Sequence, residues 1–457
     1  MGFFFAPAQP VPPELPALID AQRVWSHAEL ARAAQRRAAA LQRAGVRPGE
    51  VVMTPVSDPA DLVLMQHALA RLGTALLPVP ADLDAAARDA LLRRTGCEWI
   101  WPTRTDAMGP EATGIRTATG LPGLALLIHT SGSSGTPKVV MLTAAQLRAS
   151  CAAVSRRLGL RAGDQWLCCL PLHHIGGLAI GYRCALAAAA VRLLRPGPGF
   201  DAAALARALA DHPITHLSLV PPMLARLLDA GASPPPTLRV LLIGGQALHP
   251  GLARRAAAAG WPVYVSYGMS ETASQVAVGP WQDGEAAGTR IGPPLPGVEL
   301  DCGGSGAPGR PLRLRAPMLM AGYANPGRRP GDGLDDGWLT TSDLCRVDAD
   351  GALRVFGRAD ELLVIGGAQV SPAAVEARLS AAPGVQEIAV VGVPHPHWGA
   401  TLAACWSGPA SADALADWCR AHLPGGERPR IFRRFEQLPR LASGKPDRLA
   451  LARLAAA

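Results

Sequence analysis

The sequence predicts an α/β protein. A large N-terminal domain of stacked, mostly parallel α/β sheets with a β-rich subdomain is followed by a small α+β C-terminal domain. Three observations carry this. Short apolar runs alternate with helix-period segments from residue 26 to residue 268. From about residue 285 the pattern changes to Gly/Pro-rich turns and short strands. After "VFGRAD" (355–360) a fresh α+β pattern begins, so the expected domains are 1–357 and 358–457.

The elements follow in order. Ser26 is a helix N-cap for "HAELARAAQRRAAALQRA", whose apolar positions keep helical spacing until Gly45. "VVMTPVS" (51–57) reads as a strand, "ADLVLMQHALARLG" (60–73) as a helix ending at glycine, and "ALLPVP" (75–80) as a buried strand. The alternation continues with strands at 124–130, 166–172, 216–221, 238–245 and 262–268. Helices at 143–159, 202–212, 221–231 and 250–260 lie between them. In the last hundred residues, "ELLVIGG" and "EIAVVGVP" are strands, and "SPAAVEARLSA" and "ADALADWCRAHL" are helices.

Composition narrows the function. With 44 Lys and Arg against 36 Asp and Glu, the chain carries a formal charge of +8, which suits an anionic ligand. The arginines are scattered and few aromatics stand among them, so no nucleic-acid surface is expected. The nine cysteines show no C-x-x-C spacing and read as reduced, buried thiols of a cytoplasmic protein. The opening "MGFFFAPAQPVPPELP" has neither a basic n-region nor Ser or Thr at position 6, so neither a signal peptide nor a myristoyl anchor is expected. Alanine-rich runs are too short and interrupted to span a bilayer, and no membrane partner is expected.

One loop carries chemistry. "HTSGSSGTPKVV" (129–140) follows a strand and reads as leading into a helical segment, a setting where backbone N–H groups converge on an anion. Gly132 and Gly135 permit close backbone approach, while Thr130, Ser131, Ser133, Ser134 and Thr136 offer hydroxyls and Lys138 offers charge. Thr136 and Pro137 separate the second glycine from the lysine, so this is not a Walker A loop. Taken alone, the stretch reads more readily as a Ser/Gly surface loop.

The rest of the chain resolves that ambiguity by resemblance. "TSGSSGTPK" resembles the signature loop of the adenylate-forming enzymes, which include acyl-CoA synthetases, luciferases and peptide-synthetase adenylation domains. "LPLHHIGG" (170–177), "LLIGGQAL" (241–248), "SYGMSETAS" (266–274), "GWLTTSDL" (337–344), "GRADELLVIGGAQVSPAAVEARL" (357–379) and "SGKPDRLAL" (443–451) follow in that family's order. Ser134 stands where threonine is usual and Val139 where glycine is usual; the first keeps the hydroxyl and the second lies past the phosphate contacts.

The resemblance implies an ATP-dependent ligase that forms an acyl-adenylate and pyrophosphate, after which coenzyme A displaces AMP. It implies that residues 130–138 cradle the β- and γ-phosphates, that Ser270 and Thr272 bind phosphate oxygens, and that Glu271 holds Mg²⁺. Asp343 takes the ribose hydroxyls, and Arg358 takes ribose or phosphate. Gly244, Gly245 and Gln246 line the adenine and acyl pocket, with Gly268 beside them, and Tyr267 stacks on adenine. Lys445 bridges carboxylate and phosphate oxygens. Asp360 is the hinge of a mobile C-terminal domain, and Gly366 and Gly367 line the thiol tunnel.

The acid is narrowed by "LPLHHIGGLAIGYR". His173 and His174 occupy the region where amino-acid-activating domains carry an aspartate, so a CoA ligase is implied, with His174 at the acyl or CoA pocket. The short chain and "PLHHIGGLAIGYR" resemble the o-succinylbenzoate–CoA ligases of menaquinone biosynthesis. In that resemblance Arg183 pairs with the carboxylate that is not activated, and Ser274 and Gln275 neighbour it. In an arginine-rich chain, a surface role for Arg183 stays open. An aryl- or medium-chain acyl-CoA ligase and a nucleotide-binding regulatory protein without turnover stay open as well. The expected partners are a small carboxylic acid, ATP and CoA, with a homodimer as the candidate assembly.

Overall fold

The computed structural model describes residues 10–101, 110–115, 121–130, 138–194, 199–284, 288–302, 310–365, 368–395, 398–440 and 446–456. Helix signals in the sequence act where expected. Ser26 and Glu29 form a reciprocal capping box, Glu29 N donating to Ser26 Oγ at 3.2 Å and Ser26 N to Glu29 Oε2 at 2.9 Å. The helix His27–Arg43 then buries Leu30, Ala33, Ala34, Ala38 and Leu41 as one stripe. Asp58 caps Pro59–Leu72, and Gly73, at φ 71°, closes it in the left-handed region.

Among the described residues the strands form two large sheets. One runs Ser274–Pro280, Val263–Met269, Val240–Ile243, His216–Leu219, Gln165–Cys168, Ala190–Leu193, Pro16–Ile19 and Val24–Ser26, parallel except at its two edges. The other runs Gly322–Tyr323, Lys138–Thr143, Leu124–Thr130, Ala75–Pro80, Val51–Val56, Trp99–Ile100 and Glu111–Ala112. Alternate residues of this second sheet serve different cores. Val52, Leu76, Leu126, Ile128 and Val140 join the main core with Leu217 and Leu241 of the first sheet, while Val51, Met53, Leu77, Leu127 and Val139 face a second cluster. Burial on both faces explains why these strands read as unbroken apolar runs.

An antiparallel five-stranded sheet, with Leu339–Val347 and Leu353–Arg358 at its centre, accounts for the β-rich stretch after residue 285. The residues after Leu363 build their own two-stranded and three-stranded sheets, with helices Pro372–Leu379 and Ala412–His422 and separate apolar clusters. No described helix is long and apolar enough to cross a membrane.

One local reading is corrected, and one helix that the sequence did not reveal is added. The Ser/Gly loop leads into the strand Lys138–Thr143, not into a helix; that strand pairs antiparallel with Leu124–Thr130, and helix Ala144–Leu158 begins only after it. The described strands on either side of residues 131–137 thus pair with each other, and the second is a strand because the β-branched, buried Val139 and Val140 fit one. Conversely, "IGGLAIGYRCALA" forms a helix, Ile175–Ala187, in which ten of thirteen residues are buried, so no polar face marks its period. Gly177 permits its close approach to the preceding turn, since a Cβ there would stand 2.5 Å from Pro171 O.

A buried ion pair fixes the segment that follows Tyr323. Arg328, 2% exposed and at φ 49°, donates to both carboxylate oxygens of Glu98, and Val51 N donates to Glu98 Oε2 at 2.9 Å. Removing the cation leaves a buried carboxylate without its counter-charge, so Arg328→Met is expected to lower unfolding stability by about 3–5 kcal/mol. Urea unfolding measures it, and a change below about 1 kcal/mol would contradict a buried pair.

Candidate active site

The acidic turn sits on a hairpin of the first sheet. Val263–Met269 and Ser274–Pro280 pair antiparallel, and a single 3₁₀ turn, Ser270–Thr272, joins them. Ala273 (φ 50°) and Ser274 (φ 107°) hold strained backbone there. Gly268 lies against the returning strand, where a Cβ would come within 1.8 Å of Ser274 O. Thr272 is fully buried; its hydroxyl accepts from Met269 N at 3.1 Å and lies 2.8 Å from Ser274 O. The hydroxyl thus takes part in shaping the turn. Ser270 and Glu271 remain partly exposed, and Ser274 is buried behind the turn.

Glu271 meets the hairpin loop through a residue that the sequence reading missed. Tyr323 Oη donates to Glu271 Oε1 at 2.8 Å, and Lys138 Nζ lies 4.6 Å from the centre of the Tyr323 ring. Across the loop's base Thr130 Oγ1 donates to Lys138 O at 3.2 Å. Ser131, Gly132, Ser133, Ser134, Gly135 and Thr136 lie outside the described residues, as do Gly366, Gly367 and Lys445.

A second polar chain crosses from the same hairpin to the five-stranded sheet. Tyr267 Oη donates to Asp343 Oδ2 at 2.6 Å, and burial together with the Asp343 charge pushes this phenol well above its ordinary value. Asp343 is the cross-strand partner of Arg358, with Oδ1 3.8 Å from the guanidinium. Arg358 in turn grips Asp360, Nε to Oδ1 at 2.9 Å and Nη2 to Oδ2 at 2.6 Å. That bond holds the Asp360 carboxyl below its ordinary range. Gly244, Gly245 and Gln246 follow strand Val240–Ile243; Gly245 turns at φ 77°, and Ser266 Oγ donates to Ile243 O beside Gly244.

Arg183 is the electrostatic outlier. The helix Ile175–Ala187 carries it into the core at 1% exposure, which removes the surface reading. Its Nη2 donates to Gln275 Oε1, its guanidinium lies 5.6 Å from the centre of the Trp166 ring, and its Nε is buried without an acceptor. No carboxylate pairs with it among the described residues, and burial lowers its proton affinity. A buried guanidinium held by one neutral amide lacks the counter-charge that such a group requires. Nothing in the sequence pattern singled out Trp166. His174 is the N-cap of the same helix, its ring 4.3 Å from that of His173. Burial lowers the His173 proton affinity, Asp82 opposes this and His129 adds to it.

For a metal the protein offers little. No group of three or more His, Cys, Asp or Glu side chains converges among the described residues. A single partly exposed carboxylate, Glu271, suits a hydrated Mg²⁺ that arrives on nucleotide phosphates rather than a resident ion.

The family follows from comparison. The AMP-binding enzyme model matches residues 5–119 and 119–324, and the AMP-binding enzyme C-terminal domain model matches residues 374–445. The chain belongs to the AMP-binding enzyme family. It is 30% identical to the 2-succinylbenzoate–CoA ligase of Bacillus licheniformis, over 95% of each chain. It also resembles the o-succinylbenzoate CoA synthetase (MenE) of Bacillus subtilis solved with the acyl-adenylate intermediate OSB-AMP. The TM-score is 0.80 at 28% identity, covering 96% of this chain and 95% of that one. The same enzyme solved with ATP and magnesium ion matches with a TM-score of 0.80 and 28% identity, over 96% of this chain and 97% of that one.

Proposed function

We propose that this chain is an ATP-dependent, AMP-forming ligase that makes the CoA thioester of o-succinylbenzoate. One carboxylate of the acid attacks the α-phosphorus of ATP, forming acyl-adenylate and expelling pyrophosphate. The thiolate of CoA then attacks the acyl carbon and AMP leaves. The observation that carries the choice of acid is the buried Arg183, which has no carboxylate partner among the described residues and suits a second anionic group on the substrate. The likeness to ligases of that acid supports the same reading.

The first step brings two anions together, so the protein must spread positive charge and donors over the phosphates. We assign this to the hairpin loop 130–138, Ser270 and Lys445. Mg²⁺ supplies charge neutralisation on the phosphates, with Glu271 as its protein contact. Asp343 and Arg358 hold the ribose, and Gly244 to Gln246 with Tyr267 flank the base. His174 borders the acyl pocket, while Gly366 and Gly367 line the thiol path once the unit after Asp360 has turned. We infer a cytoplasmic location, a reading supported by the use of ATP and CoA and by nine free cysteines.

Pyrophosphate release over a panel of carboxylates tests the acid. o-Succinylbenzoate is expected to give the highest kcat/KM, and preference for benzoate or a medium-chain fatty acid would overturn the assignment. Lys445→Ala is expected to lose adenylate formation, by a factor of about 10²–10³ as for other lost transition-state donors. Thiolysis of supplied adenylate should persist, and near-normal pyrophosphate exchange would remove Lys445 from the first step.

A further inference from the structure

The segment Met318–Tyr323 is bonded to the acidic turn twice. Met320 N donates to the backbone oxygen of Glu271 at 2.7 Å, and Tyr323 Oη donates to its carboxylate at 2.8 Å. The segment is itself tied to the loop-bearing strand, Ala321 N donating to Met141 O at 2.9 Å and Ala324 N to Val139 O at 2.7 Å. The Tyr323 ring is locked in place. Gly333 lies so close that a Cβ would stand 2.4 Å from its Cδ2 and Cε2, and Lys138 Nζ lies 4.6 Å from the ring centroid. A phenol hydroxyl is a neutral donor at neutral pH.

A neutral donor on a carboxylate does two things at once. It fixes the rotamer of a side chain with several torsions, and it leaves the negative charge and the second oxygen available. A cation in place of the phenol would cancel the charge that attracts a metal.

We propose that Tyr323 is a positioning residue for Glu271, holding Oε1 so that Oε2 is presented to the magnesium ion carried by ATP. The inference rests on the reading of Glu271 as the Mg²⁺ contact. It adds that metal affinity and the placement of Lys138 are set by one aromatic side chain on a different sheet edge.

The test is cation titration of Tyr323→Phe, Glu271→Gln and the double variant, each checked for an unchanged unfolding midpoint. Binding of Mn²⁺ to the enzyme–ATP complex is followed by electron paramagnetic resonance, and Mg²⁺ dependence by pyrophosphate release. Tyr323→Phe is expected to raise the half-saturating cation concentration about tenfold, the scale of one hydrogen bond to a charged group. Its maximal rate at saturating Mg²⁺ should stay within roughly threefold of the parent, because no group touching substrate is lost. Glu271→Gln should weaken cation binding too, and adding Tyr323→Phe to it should change nothing further. Unchanged cation affinity in Tyr323→Phe beside a weakened Glu271→Gln would overturn the role of Tyr323, as would additive effects in the double variant. If Glu271→Gln itself binds the cation normally, the underlying reading of Glu271 fails and the proposal falls with it. If Tyr323→Phe folds poorly, Tyr323→Met, which also lacks the hydroxyl, takes its place: the same tenfold loss of cation affinity is expected, and an unchanged affinity would overturn the role of Tyr323.

Discussion

Gly268→Ala is expected to abolish acid-dependent pyrophosphate release and to lower unfolding stability by about 3 kcal/mol or more. The added Cβ would meet Ser274 O at 1.8 Å and Gln275 Cα at 2.6 Å, and both neighbours are backbone that cannot rotate away. The two strands of the hairpin must separate, and the turn they hold carries Ser270 and Glu271. Gly244 provides the contrast. A Cβ there would stand 2.6 Å from Ser266 Oγ, the end of a side chain that can turn at the loss of its bond to Ile243 O. Gly244→Ala is therefore expected to cost about 1 kcal/mol of stability. Denaturant unfolding with parallel assays measures both, and equal effects at the two glycines would contradict the account of the hairpin.

Arg183→Met is expected to act with opposite signs on folding and on substrate. Methionine keeps much of the volume but removes a buried charge whose side-chain partner among the described residues is Gln275, so the free enzyme should be as stable as the parent or more so. On the proposed reading, the second carboxylate of the substrate would then lack its cation. The KM for o-succinylbenzoate should rise by about two orders of magnitude, corresponding to roughly 3 kcal/mol, while that for benzoate moves little. Arg183→Lys should fall between, because an ammonium keeps the charge but not the forked donor pair. A large loss of stability in Arg183→Met with equal effects on both acids would make Arg183 a packing residue.

Much of the architecture was legible because its signals are local. The capping box of Ser26 and Glu29 and the Gly73 stop act through neighbours in sequence, and a reader of the chain sees them directly. Helix Ile175–Ala187 was hidden for a physical reason: burial nearly all round erases the polar face that reveals a period. Strand Lys138–Thr143 was not set apart from the loop and the helix at 143–159, because four apolar residues in a row are compatible with either state.

At the site, motifs located the turn but not its side-chain directions. Ser270, Glu271 and Thr272 are consecutive, yet the 3₁₀ turn sends Thr272 inward to bond within the turn, a direction that residue type does not encode. Tyr323 was missed because its partners, Lys138 and Glu271, are distant in sequence and lie on different strands and turns. The burial of Arg183 likewise depends on the whole helix being internal, which no arginine count conveys.

The central claim is that this ligase requires both carboxylates of one acid, one to react with ATP and one to neutralise Arg183. The most direct measurement compares kcat/KM for o-succinylbenzoate with that for each of its two monomethyl esters, following AMP and CoA thioester together. Both esters are expected to fall by about a hundredfold or more, one for want of a reacting oxygen anion and the other for want of the counter-charge. A monoester converted as efficiently as the free diacid would contradict the account.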